Sequence, residues 1–308
     1  MKYIFGPVPS RRLGLSLGVD IVPLKSCTLS CVYCQVGKTP SVIVERKEYI
    51  PTSDILEELR GFFTLEKDLD WVTFSGSGEP TLHSGIGAII SGIKELSQTP
   101  VCVITNGTLL SDPAVRKDLL MADAVMPSLD SALEESFQRI NKPHPSLTVE
   151  KIIDGLVSFR DEYSGKIWLE IMLVAGINDS ADDIEALVRA AKKIRPDTIQ
   201  LNTVVRPPAE QSAAALTEER MEDIRKQFGD HAEIIASFKT SERKKGKVGI
   251  GELRDYLKRR PGSVSDMLAA LGIDEQTLDS LLLTLEDSGE IVLRDHRGSQ
   301  YWEYIQDS

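Results

Sequence analysis

The sequence predicts an α/β protein: a long N-terminal part built on a parallel sheet with helices outside it, and a small separate C-terminal domain. Three observations lead there. Between about residues 18 and 237, short β-branched runs alternate with segments of helical period, the pattern of repeated βα units. The tract 239–247, KTSERKKGK, breaks that alternation with a run of charge and a Gly. Beyond it come three short helical stretches and one stretch of period-two alternation.

The elements follow in order. The leader Gly6-Pro-Val-Pro-Ser-Arg-Arg-Leu-Gly14 is rich in turn formers and is expected to be a loop covering the bottom or side of the sheet, with Arg11 and Arg12 available to clamp a phosphate or carboxylate. Strands are expected at GVDIVP from Gly18, WVTFS from Trp71, VCVIT from Val101 and AVMPSLD from Ala124. Three more are expected at IWLEIMLV from Ile167, TIQLNTVV from Thr198 and AEIIAS from Ala232. Helical stripes lie between them: Ile55, Leu59, Phe62 and Phe63; Ile86, Ile89, Ile90 and Ile93; Ile184, Leu187, Val188 and Ala191. Helices of that length cross back over a sheet, so the strands run parallel; an open sheet and a rolled one both satisfy the pattern.

The domain limits are thus 1–238, a linker at 239–248, and 249–308. Helices are expected at 249–260, 264–271 and 274–288, the last with Leu278, Leu281, Leu282 and Leu285 on one face. EIVLRDHRGSQYWEYI, from Glu290, alternates around Arg297 and Gly298 as a hairpin does. Three helices and a hairpin resemble a winged helix-turn-helix. The third helix carries Asp274, Glu275, Asp279, Glu286 and Asp287 and no Lys or Arg, so against DNA phosphates it would repel. A protein- or substrate-docking role is expected instead, although Arg294, His296 and Arg297, with Lys244, Lys245 and Lys247, offer a local basic contact.

With 47 acidic and 36 basic residues the chain of 308 has a net charge of −11, which argues against coating nucleic acid by bulk charge. No apolar run approaches the roughly 18 residues of a membrane span, and MKYIFGPVPSRRLG lacks the apolar core of a signal peptide, so a cytoplasmic location and no membrane partner are expected.

Four cysteines in so long a chain do not make a disulfide scaffold. Three of them, Cys27, Cys31 and Cys34, have the spacing C-x3-C-x2-C and follow the first strand, where a parallel sheet puts its active-site loops. Three thiolates so close converge on one object. A structural zinc would need a fourth ligand, Cys102 or a histidine. A 4Fe-4S cubane on three cysteines keeps one iron open to an exogenous ligand.

With the aromatic Tyr33 before the last Cys, this motif resembles the cluster motif of the radical S-adenosylmethionine (radical SAM) enzymes. Ser75-Gly76-Ser77-Gly78-Glu79-Pro80 resembles the family's G-G-E-P element, with Ser77-Gly78 in its first two places. Thr105-Asn106-Gly107, Ser128-Leu129-Asp130 and Val174-Ala175-Gly176-Ile177-Asn178 end the third, fourth and fifth strands. The resemblance implies a partial (β/α)6 TIM-like barrel in which Cys27, Cys31 and Cys34 hold a 4Fe-4S cluster. It places Gly76, Ser77, Gly78, Glu79 and Pro80 at the SAM amino group. Tyr33, Thr105, Asn106, Ser128, Asp130 and Val174 fall among the remaining contacts to ribose, carboxylate and adenine. The chemistry suits SAM: Glu79 supplies charge for an ammonium, the glycines permit close approach, and Asn106, Ser128 and Asp130 bond hydroxyls or carboxylate.

The implied reaction is one-electron cleavage of SAM to methionine and a 5′-deoxyadenosyl radical, which takes hydrogen from a substrate: an RNA base, a peptide or a small metabolite. A flavodoxin or ferredoxin would supply the electron. The leader, Pro143 and Val205-Arg206-Pro207-Pro208 resemble radical SAM proteins grouped beside the tRNA wyosine synthases, over roughly residues 1 to 240. With no Cys before Cys27, a second N-terminal cluster cannot form. Cys102, within Val101-Cys-Val-Ile104, reads as a buried strand residue. A glycyl-radical activating enzyme and an iron-sulfur-sensing transcription regulator are the alternatives.

Secondary candidates are His83, as a cofactor neighbour or a structural residue; Glu170, Asn202 and Arg206, as lumen or helix-facing residues; and Lys25 and Lys38, as Schiff-base formers or exposed lysines. No catalytic side chain is singled out.

Overall fold

The computed structural model describes residues 2–10, 12–64, 68–235, 249–259, 261–296 and 298–305. Arg11, Arg297 and the predicted linker at 239–248, with its lysines, lie outside the described residues.

Eight strands form one sheet in strictly sequential order: β1 (Ile4–Ser10), β2 (Gly14–Val19), β3 (Trp71–Phe74), β4 (Val101–Thr105), β5 (Ala124–Pro127), β6 (Lys166–Leu173), β7 (Thr198–Thr203) and β8 (Ala232–Ile234). All pairs from β2 to β8 are parallel. Their crossovers carry α1 (Thr52–Phe63), α2 (Ile86–Leu96), α3 (Pro113–Leu119), α4 (Glu134–Asn141), α5 (Val149–Glu162), α6 (Ala181–Ile194) and α7 (Glu218–Phe228). The first and last strands are the sheet's edges, so the sheet is open: six βα crossovers in barrel-like sequence.

Side-chain parity on β6 shows how the sheet is used. Ile167, Leu169, Ile171 and Leu173 are fully buried in the same apolar core as Ile184 and Leu187 of α6. At roughly 1.5–3 kcal/mol per buried Ile or Leu, this layer fixes the strand's register. The alternate residues Trp168, Glu170 and Met172 therefore face the other way. That second face begins in an apolar floor of Leu13, Cys102, Ala124 and Met126 against Trp71 and Trp168, whose rings meet edge to face at 5.4 Å. Glu170 lies one step above it.

The leader differs from expectation. It is a strand, β1, paired antiparallel with β2 and irregular between Phe5 and Val8. Its prolines are tolerated because an edge strand has one set of backbone groups with no ladder to join. The hairpin turn delivers buried Leu13 to the floor and sets Arg12 Nη1 2.9 Å from Glu170 Oε2. Arg12 thus clamps a carboxylate of its own chain. The first strand also starts earlier than expected, at Gly14, which puts Asp20 just beyond its C-terminal end.

The C-terminal part contains α8 (Ile250–Arg259), α9 (Val264–Leu271), α10 (Glu275–Asp287) and an antiparallel hairpin of β9 (Ile291–His296) and β10 (Ser299–Tyr304). It has its own apolar core, with Leu253, Met267, Leu278, Leu282, Leu285 and Trp302 buried together. Ser263 opens α9 with a capping box, and Asp274 caps α10 through the Thr277 N–H at 2.8 Å. This unit rests on the sheet-bearing part through Tyr301, whose hydroxyl donates to Val205 O at 3.1 Å, and through an Arg206–Asp266 ion pair. No described helix is long and apolar enough to cross a membrane.

Candidate cofactor site

The segment after β2 carries the three clustered cysteines and is sewn to the segment after β3. Lys25 N donates to Ser77 O at 2.7 Å and Glu79 N to Ser26 O at 2.8 Å, while within the cysteine segment itself Ile43 N donates to Cys27 O at 2.9 Å. The contact is too close for a side chain at Gly78, where a Cβ would fall 2.0 Å from Ser26 O. Gly76 has φ +143°, and a Cβ there would strike the Asp20 carboxylate, which accepts from Ser77 N at 3.1 Å and from Ser77 Oγ at 2.5 Å. The expected result of Gly78→Ala is a loss of about 3 kcal/mol or more, measured by chemical unfolding, because the clash is with backbone and no side chain can step aside.

The three cysteines are half-buried as residues, and each thiol is raised in pKa, chiefly by burial. Cys27 is pushed up to about 12, with the Glu79 charge adding to the effect of burial. Cys31 is raised well above its usual value by burial and then by Asp130, and the charges of Cys27 and Cys34 act on it in the same direction. At Cys34 the Lys25 cation opposes the rise. Three thiolates here need a positive partner, which a metal-sulfur core provides.

The donor set distinguishes between metals. Cys102 lies in the apolar floor, its thiol pushed up by burial to about 12. His144 Nδ1 is engaged with Ser146 Oγ at 2.8 Å. A lone zinc would draw four side chains around one ion, and neither Cys102 nor His144 is placed with the three cysteines in the described structure. Three soft thiolates are a donor set that a cubane, which spreads its ligands over several irons, can take.

Two buried carboxylates flank the cysteines. Glu79, 2% exposed, accepts from Thr81 N at 3.0 Å, Thr81 Oγ1 at 2.5 Å and Thr105 Oγ1 at 2.6 Å on Oε1, and from Asn106 N at 2.7 Å on Oε2. Burial raises its pKa while these bonds pull it down. Among the described residues Oε2 accepts one hydrogen bond, which leaves it capacity for a further donor such as an ammonium. Asp130 accepts from Tyr33 OH at 2.5 Å, Asn141 Nδ2 at 2.6 Å and Met172 N at 2.9 Å, and burial pushes it up to about 6.

Each carboxylate reaches a cysteine through an asparagine. Asn106 bonds Glu79 by its backbone and sets Nδ2 3.5 Å from Cys27 Sγ; Asn141 bonds Asp130 and sets Nδ2 3.3 Å from Cys31 Sγ. Asn141 has no role in the sequence-based expectations. Val174 is buried with Val32, Val204 and Ile140 beside Tyr33, forming an apolar wall, and Asn178 braces it by accepting from Val174 N at 2.8 Å. Ser128 bridges to Glu170 across the sheet. Cys27, Cys31, Cys34, Tyr33, Gly76, Ser77, Gly78, Glu79, Thr105, Asn106, Ser128, Asp130 and Val174 therefore share one end of the sheet. Pro80 starts the short turn that Glu79 caps.

Other candidates sort by geometry. His83 is fully buried; Nδ1 accepts from Gly85 N at 3.0 Å, which leaves the proton on Nε2 to donate to Ile50 O at 2.7 Å. It is a structural residue. His83→Ala should cost about 1–3 kcal/mol in unfolding free energy and leave iron loading unchanged. Glu170 and Asn202 share the sheet face away from α6, joined at 2.6 Å, while Arg206 lies beyond β7. Lys38 is exposed, 3.9 Å from Glu210, and Lys25 approaches Gly37.

The comparisons agree with this arrangement. The model of the Radical SAM superfamily matches residues 21–191. The chain is 37% identical over 294 residues to a protein named GTPase Obg of Brachyspira hyodysenteriae, covering 94% of this chain but 43% of that protein. The chain thus spans less than half of that relative, and its Gly37-Lys38-Thr39 has Val32 where a phosphate-cradling P-loop needs Gly. It is 33% identical over 270 residues to a UPF0026 protein of Helicobacter pylori, covering 86% of this chain and 87% of that one. In fold it is similar to Streptococcus suis SuiB, solved with bound S-adenosylmethionine, at a TM-score of 0.53, 16% identity, and coverage of 72% of this chain and 50% of that one. The paired loops after β2 and β3, the open sequential sheet and the matched residues lead to one conclusion: the chain belongs to the Radical SAM superfamily.

Proposed function

We propose that this protein is a single-cluster radical SAM enzyme, with Cys27, Cys31 and Cys34 as cluster ligands and SAM bound along the ends of β3 to β6. The observation that carries the reading is the double link of carboxylate, asparagine and cysteine: Glu79–Asn106–Cys27 and Asp130–Asn141–Cys31. When bound, the cluster supplies the electron that splits SAM into methionine and a 5′-deoxyadenosyl radical, which takes hydrogen from a substrate carbon.

The chain's own residues orient and shield. Glu79 Oε2 would offer charge to the SAM ammonium, and Gly76 and Gly78 let the loop after β3 lie against Asp20 and Ser26 beside it. The amides of Asn106 and Asn141 donate toward sulfur, which lowers the cost of thiolate charge. Val174 and Tyr33 exclude water on the β6 side. Above the Trp71–Trp168 floor, the Arg12–Glu170–Asn202 group is the polar surface available to a substrate, whether RNA base, peptide or metabolite.

The C-terminal unit reads as a winged-helix accessory domain for docking, since the acidic residues of α10 oppose DNA. A flavodoxin or ferredoxin is the proposed electron donor, in the cytoplasm. Kinship with the proteins beside the wyosine synthases belongs to the same proposal. Anaerobic reconstitution with iron and sulfide tests it: about four irons per chain and a change in the reduced cluster's paramagnetic resonance on adding SAM are expected. A spectrum indifferent to SAM contradicts the proposal.

A further inference from the structure

We infer that Arg206 and Asp266 are positioning residues for the cysteine loop, so that the C-terminal unit is a working part of the cofactor site; this rests on reading Cys27, Cys31 and Cys34 as cluster ligands. Arg206 follows β7 and its side chain is 4% exposed, facing the Asp266 carboxylate of α9, 6% exposed, at 3.5 Å. Its other terminal nitrogen, Nη1, donates to Gln35 Oε1 at 3.3 Å, and Gln35 is the residue after Cys34. One planar guanidinium therefore spans from the C-terminal unit to the cysteine loop.

A buried ion pair is a poor way to gain stability, because desolvation offsets the attraction and apolar residues would hold two surfaces together as well. What the pair adds is direction. A rigid fork fixed at both ends sets the distance between α9 and Gln35, which a flexible ammonium would not do.

A second residue of the same segment, Glu210, also grips the cysteine loop. Glu210 N donates to Val32 O at 2.9 Å, and the Glu210 carboxylate accepts from Lys142, the residue after Asn141. On the other side, Tyr301 of β10 holds Val205 O. Motion of the C-terminal unit is therefore carried by residues 205–210 to both Val32 and Gln35, which flank the Tyr33-Cys34 pair.

Amide hydrogen exchange of the full chain tests the strut without needing turnover. Asp266→Asn keeps an acceptor for the α9 capping box but removes the charge; Arg206→Lys keeps the charge but removes the fork. In either variant, exchange at residues 30–38 is expected to rise about tenfold, with the amides of α2 and β4 unchanged. A second measurement uses the reconstituted protein and the rate of iron loss to a chelator. Gln35→Ala and Asp266→Asn, whose side chains are both bonded to Arg206, should each speed the loss, and the double variant should be no faster than the quicker single one. Unchanged exchange at 30–38, or rates that multiply in the double variant, overturns the inference. If no cluster forms in the wild type, the reading of the cysteines fails, while the exchange result still decides whether the strut exists.

Discussion

Replacing any one of Cys27, Cys31 or Cys34 with Ala is expected to abolish the iron-sulfur absorption and to lower SAM cleavage at least about 1000-fold, without unfolding the chain. The reasoning is one of ligand count. Among the described residues the other candidate ligands are engaged elsewhere: Cys102 is in the apolar floor, and His83 and His144 are already bonded. Two remaining cysteines cannot hold a cubane. The fold should survive, because the loop is tied down by backbone bonds at Lys25, Glu79 and Ile43 rather than by the sulfurs. Cys102→Ala is the matched control: it should retain full iron and cost about 1 kcal/mol for the lost packing. Iron and sulfide content, with absorption near the visible charge-transfer bands, checks both.

The second large effect is expected at Glu79. In Glu79→Ala four donors lose their acceptor: Thr81 N–H, Thr81 O–H, Thr105 O–H and Asn106 N–H. At about 1–3 kcal/mol for each buried group left unbonded, and with some relaxation, the loss should reach about 4 kcal/mol. Because Asn106 also faces Cys27, cluster retention should fall with it. Glu79→Gln separates scaffold from charge: its carbonyl can still serve Thr81 and Thr105, while the ammonium of SAM loses its counter-charge. Stability should then drop less than in Glu79→Ala, and SAM affinity should weaken by about 10- to 100-fold in a binding titration.

Much of this was readable before any coordinates. The stripes at Ile55–Leu59–Phe62, at Ile86–Ile89–Ile90–Ile93 and at Ile184–Leu187 became the buried faces of α1, α2 and α6, because three or more apolar residues at helical spacing leave little choice of partner. The C-x3-C-x2-C spacing and the Gly-rich turn are local, and so was the site's loop pair. What escaped was weakly patterned or long-range. In α7 only Met221 and Ile224 are buried, and α3 is short and includes the buried Arg116, so neither shows a clean stripe. The missed α5 had a usable signal, its Thr148 cap and the stripe Ile152, Leu156 and Phe159. Asn141 offered none: its partner Cys31 is 110 positions away, and only the fold makes them neighbours. The facing of Glu170 required knowing which side of β6 the helices cover.

Whether this chain turns reducing equivalents into SAM cleavage is read most directly from 5′-deoxyadenosine formation by the anaerobically reconstituted protein with SAM and dithionite. The account predicts 5′-deoxyadenosine and methionine in equal amounts, formed only with reductant and absent from Cys27→Ala, Cys31→Ala and Cys34→Ala. A fully loaded cluster that yields none with dithionite or with a reduced flavodoxin would contradict it.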